Sequence, residues 1–90
     1  MPERRAVVAS SVGLHARPAA IFVKAAAEQS ASVTIRKGED GDPVDAASIL
    51  AVMALGVEHG QEVVLSAEGE GAEAALEALG SLLERDLDAE

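Results

Sequence analysis

The spacing of apolar residues changes several times along the 90 positions of this chain, and that change of period constrains the fold more than any other feature. An apolar residue at every second position marks a half-buried strand. Apolar residues at i, i+3, i+4 and i+7 mark one face of a helix. From about Arg5 to Ala9, Ala6 and Val8 share one side, which predicts a first strand. Between Ala16 and about Gln29, the set Ala19, Phe22, Val23 and Ala26 forms a helical stripe. Val33 and Ile35 alternate with Thr34 and Arg36 from Ser32 to Lys37. Gly38 to Asp42 supply turn residues, and Pro43 to Asp45 a short returning strand. Ser48 to Leu55 predict a short helix that Gly56 ends. Glu62 to Ala67 predict a last strand with Val63 and Leu65 inward. Gly69 and Gly71 turn the chain into a final helix from about Ala72 to Leu87, striped by Ala72, Leu76, Leu79 and Leu83. The order β-α-β-β-α-β-α predicts an α+β domain, a four-stranded antiparallel sheet covered on one face by three helices.

A chain of this length with no evident linker is expected to form a single domain over residues 1–90. It has no cysteine, and Phe22 is its only aromatic residue, so aliphatic packing must build the core. A formal net charge of −9 and scattered basic residues argue against a nucleic-acid partner. No apolar run approaches the roughly 18 residues that span a bilayer. Ser10, Ser11, Gly13 and His15 break the apolar stretch after Arg4 and Arg5 too early for a signal peptide. A cytoplasmic chain without metal or cofactor is therefore expected.

The segment Gly13-Leu14-His15-Ala16-Arg17-Pro18 carries the most chemistry. Pro18 suits the first turn of a helix, where its missing N–H costs nothing. With His15 at the cap, the backbone N–H groups of Ala16 and Arg17 have no partner inside the helix. The helix dipole and the Arg17 guanidinium add positive charge beside the ring, so an anion attached to His15 would be well met. The same surroundings favour a neutral imidazole, whose free ring nitrogen is a nucleophile. Residue type and spacing leave a plainer reading open as well, because a single histidine near a helix start beside a surface arginine is common.

The helix after Ser48 is apolar almost all round. Val52 and Leu55 lie together, while Ile49, Leu50 and Met53 lie on another side. One side must face the sheet, so the other is expected to be exposed, as docking surfaces often are; deep wrapping of this helix is the alternative. Ser48 reads as its cap. His59, with no ligand-spaced partner, reads as an exposed loop residue. The acidic runs Glu39-Asp40 and Glu68 to Glu73 read as solvated surface. Gly69 and Gly71 lack the context of a nucleotide loop.

Across Gly13-Leu14-His15-Ala16-Arg17-Pro18-Ala19-Ala20, Phe22-Val23-Lys24, Ser48-Ile49-Leu50-Ala51-Val52-Met53-Ala54-Leu55-Gly56 and Ser66-Ala67-Glu68-Gly69, the chain closely resembles the HPr family. These are histidine-containing phosphocarriers of the bacterial phosphoenolpyruvate-dependent sugar phosphotransferase system. The resemblance implies an open-faced β-sandwich and a carrier, not an enzyme. It implies that His15 takes the phosphoryl group on its δ1 nitrogen and that Arg17 steadies it. It further implies that Enzyme I is the donor and IIA domains of sugar permeases the acceptors. Both would dock on a face made by Ala20, Lys24, Ile49, Leu50 and Met53, with the carrier a monomer. Ser48 matches a serine that a dedicated kinase phosphorylates in some low-GC Gram-positive bacteria. Here Asp45-Ala46-Ala47 precede it where relatives often carry a basic residue, and Ala51 stands where they often carry Lys or Gly. Fewer basic residues on that face imply weaker steering toward acidic partners. The loop from Gly38 to Pro43 is slightly longer than the family's.

Overall fold

The computed structural model describes residues 2–85. The elements are β1 (Glu3–Val7), α1 (Ala16–Ala27), β2 (Val33–Lys37), β3 (Val44–Asp45), α2 (Ile49–Ala54), β4 (Glu62–Ala67) and α3 (Ala72–Leu83). The strands form one antiparallel sheet in the order β1-β4-β2-β3, so the last strand enters between the first two. Its inner face and the three helices enclose the core, in which Leu14, Phe22, Ile35, Val63, Leu65, Leu79 and Leu83 are fully buried.

The order of elements is the predicted one, with shifts at their ends. The first strand begins two residues earlier than Arg5 and stops at Val7. Val8 is nonetheless buried in the core, and its N–H bonds to the Gln61 carbonyl at 3.0 Å as the chain leaves the sheet. The first helix ends at Ala27, and the Gln29 amide turns back to donate to the Ala25 carbonyl. The last helix ends at Leu83, with Glu84 as its cap. The rest of its predicted length, beyond Arg85, lies outside the described residues.

The outer face of the sheet is solvated in an orderly way. Val64, on that face of the central strand β4, is 1% exposed. Its neighbours across the two adjacent strands are Arg5 and Arg36. These long side chains cover it with their aliphatic stems while their charged ends stay wet. Arg36 pairs with Glu3 at 3.1 Å, and Arg5 pairs with Glu39 and Glu62. The hydrogen bond from Arg36, with smaller contributions from its charge, from Ser66 and from Arg5, holds the Glu3 carboxyl below its ordinary value of 4.5. On the inner side, Arg4 crosses α3 at Gly80, where an added Cβ would collide with its guanidinium. Glu77 and Glu84 flank that crossing at 3.5 and 3.1 Å from Arg4. This fastens the edge strand to the last helix, and the N–H of Ala9 bonds to the Leu83 carbonyl just beyond.

Candidate functional site

Two loops meet above the head of α1, and the sequence explains how closely. Gly13 has φ 71, which a side chain would disfavour, and an added Cβ would press into the Val57 carbonyl and come within 2.7 Å of the Glu58 Cα. The N–H of Leu14 bonds to that same carbonyl at 2.9 Å, and the N–H of Gly60 bonds to the Val8 carbonyl at 2.8 Å. Leu14 then drops into the core, fully buried. A buried leucine on one side and a helix on the other fix the backbone that carries His15.

His15 is the N-cap of α1, extended at φ −127 and ψ 157, and its ring makes no cap hydrogen bond. The residue is half-exposed. The next residue, Ala16, has φ 50, the left-handed region that costs an L-residue roughly 1–2 kcal/mol. Sequence reasoning missed this, since an alanine carries no sign of left-handed backbone. Among the described residues, no partner takes the N–H of Ala16 or Arg17. Pro18 is buried in the first turn, as its chemistry predicts.

Charge distinguishes this face from the rest of the molecule. Arg4, Arg5 and Arg36 are all held in ion pairs, and Lys37 donates to the Gly56 carbonyl. Arg17 and Lys24 form no ion pair with any described residue, and both are exposed. They lie on one face of α1 together with exposed Ala20, at i, i+3 and i+7. The opposite face, with Pro18, Ala19, Phe22 and Ala26, is buried. In a chain of net charge −9, the helix that His15 caps thus carries two cations without an ion pair to any described residue.

The second helix packs against the first. Val52 is buried and Leu55 packs on the core beside it. Ile49 and Met53 are each 38% exposed and Leu50 is 80% exposed, so the helix turns its second apolar side to solvent. Ser48 caps it: its hydroxyl accepts the N–H of Ala51 at 3.3 Å. The structure therefore places Arg17, Ala20 and Lys24 on one exposed helix face and Ile49, Leu50 and Met53 on the exposed side of the adjoining helix.

His59 is the exposed loop residue that the sequence predicts, but its place beside the 10–15 loop is not legible there. His59 is exposed, yet its Nδ1 lies 3.1 Å from the Ser10 carbonyl. With Ser11, Val12, Glu58 and His15 it lines a shallow depression of about 330 Å³. Residues 44 positions apart carry no common signal in sequence; the pairing of the two loops alone brings them together.

The family model described as the PTS HPr component phosphorylation site matches residues 2–85. The chain is 54% identical over 88 residues to the phosphocarrier protein HPr of Streptomyces coelicolor, covering 98% of this chain and 94% of that protein. The crystal structure of HPr-C-His from Thermoanaerobacter tengcongensis superimposes with a TM-score of 0.90 at 42% identity, covering 100% of this chain and 99% of that one. An HPr dimer from the same organism superimposes with a TM-score of 0.70 at 44% identity, covering 93% and 94%.

Proposed function

The chain belongs to the HPr family of phosphocarriers of the phosphotransferase system, and from that premise we propose how it carries the group: on the imidazole of His15. Phosphorylated Enzyme I supplies the phosphoryl group and IIA domains of sugar permeases accept it. The observation that carries this reading is the state of His15. It is the N-cap residue of α1, yet its ring makes no cap hydrogen bond, and it is half-exposed two residues before the exposed Arg17, which is in no ion pair with a described residue. A lone pair on the δ1 nitrogen attacks phosphorus, the N–P bond forms, and the bond to the donor breaks with its electrons returning to the donor. The free N–H groups of Ala16 and Arg17 and the Arg17 side chain then face the new dianion. The reverse displacement by an acceptor's nucleophile discharges it. The protein contributes position and charge; catalysis resides in its partners.

Docking is proposed on a face made by Ala20 and Lys24 of α1 with Ile49, Leu50 and Met53 of the adjoining α2. It combines a cation with exposed aliphatic side chains, the composition of an interface centre with a charged rim. The protein acts there as a cytoplasmic monomer, and no helix among the described residues is long and apolar enough to cross a membrane. Ser48 is proposed as an accessory modification site only, since its hydroxyl already serves the helix as a cap. The test is a relay in two steps. Radiolabelled phosphoenolpyruvate and purified Enzyme I should label the chain, and the isolated labelled chain should pass the label to a purified IIA domain. A chain that takes no label, or keeps it in the presence of every IIA domain tried, is not a carrier of this kind.

A further inference from the structure

We propose that His59 is a second imidazole of the phosphoryl site, one that takes up a proton when His15 is phosphorylated and holds the phosphoryl group from the 57–61 loop. The inference rests on the carrier reading above and adds a residue to it.

A carbonyl oxygen only accepts, so the 3.1 Å contact between His59 Nδ1 and the Ser10 carbonyl requires the proton on Nδ1. That leaves the Nε2 lone pair as the free end of the ring. The bond also ties the ring to the loop that leads into His15, and the loop itself is held firmly. Glu58 accepts the N–H of Gln61 through its carbonyl at 3.1 Å and donates its own N–H to the Gln61 side chain at 2.8 Å. His59 is therefore part of the wall of the depression that His15 also lines.

The ionisable groups lining this depression are Glu58 and His15, while Lys37 reaches the start of the loop at the Gly56 carbonyl, 3.2 Å away. Glu58 already places one carboxylate on this depression, which opposes a second anion there. A phosphoryl dianion on His15 brings just such an anion, and protonation of His59 Nε2 offsets both. The proton comes from hydronium or a buffer acid: the donor's bond to hydrogen breaks, its electron pair stays on the conjugate base, and an N–H bond forms at the Nε2 lone pair. His59 would thus couple phosphoryl occupancy to proton uptake.

The experiment reads the two imidazoles of the full-length chain by NMR. The nitrogen pattern of neutral His59 should show the Nδ1–H form; an Nε2–H form would overturn the proposal at once. At a fixed pH at which the free chain's His59 is neutral by NMR, phosphorylation by phosphoenolpyruvate and Enzyme I should move the His59 ring signals toward imidazolium positions. In His59→Gln, which keeps a donor toward Ser10 but cannot titrate, the hydrolysis rate of the phosphorylated chain should lose part of its dependence on pH between about 6 and 8. Unmoved His59 signals, or an unchanged pH profile in the variant, would overturn it. Failure of the chain to become phosphorylated would refute the carrier reading instead. In that event inorganic phosphate added to the free chain decides for His59, whose signals should then move together with those of His15 or else remove it from the site.

Discussion

Leu50→Glu separates docking from folding more cleanly than any other substitution on this surface. Leu50 is 80% exposed, so about a fifth of its side chain is removed from water. Full burial of a leucine is worth roughly 1.5–3 kcal/mol, which leaves about 0.3–0.6 kcal/mol at stake in the fold. The position also favours glutamate. Ser48 is the cap of α2, Leu50 is its second helical residue, and the first turn holds no acid. A carboxylate there gains about 0.3–1 kcal/mol from the helix dipole. The two contributions cancel within error, so chemical denaturation should give a stability within about 0.5 kcal/mol of the parent. Binding should respond very differently. A charge at the centre of an apolar contact should cost on the order of 2 kcal/mol or more, or about 30-fold in Kd. Isothermal titration against Enzyme I and a IIA domain, beside denaturation of the same preparation, measures both. A loss of stability above about 1 kcal/mol with normal affinity would place Leu50 in the core and refute the docking face.

Further substitutions probe the other parts of the site. Arg17→Ala should slow phosphoryl transfer without abolishing it, because the backbone N–H groups remain; one charge-assisted contact is worth about 1.5–3 kcal/mol, and rapid-quench kinetics unchanged in both directions would show that Arg17 does not meet the phosphoryl group. Ala16→Gly should stabilise the unphosphorylated chain by up to about 1 kcal/mol, since relief of the left-handed alanine outweighs the entropy of glycine; a lower denaturation midpoint would contradict the left-handed backbone. The Glu3 carboxyl is held below its ordinary value of 4.5 by Arg36, so its contribution to stability is present above that value and is lost as pH falls through the lower folded one. Glu3→Gln should flatten the acid limb of the stability–pH curve, and an identical limb would mean that the ion pair is not formed in solution.

The parts of the fold legible in sequence are those governed by local period. The stripe of Ala19, Phe22 and Ala26 and the alternation of Val63 and Leu65 identify their elements correctly. The first strand is displaced because Val8 continues the apolar alternation one residue past the last register pair, Val7 with Glu62; the pattern reports burial, while strand bounds report the ladder. Burial of Val64 could not be read, since it depends on a register that sets Arg5 and Arg36 on either side of it. At the site, His15 and Arg17 stand out through their place before Pro18. The strain at Ala16 and the approach of His59 do not, because each arises from how loops distant in sequence are pressed together.

The central claim is that one side chain carries the phosphoryl group, and intact-mass spectrometry at neutral pH tests it most directly. The chain, phosphoenolpyruvate and Enzyme I should yield a single acid-labile adduct of one phosphoryl group, located by fragmentation at His15. His15→Ala should give none while unfolding at the parent's temperature, because the half-exposed ring makes no cap bond whose loss would weaken the fold. An adduct that persists in His15→Ala, or one that maps to His59 or Ser48 in the parent chain, would contradict the account.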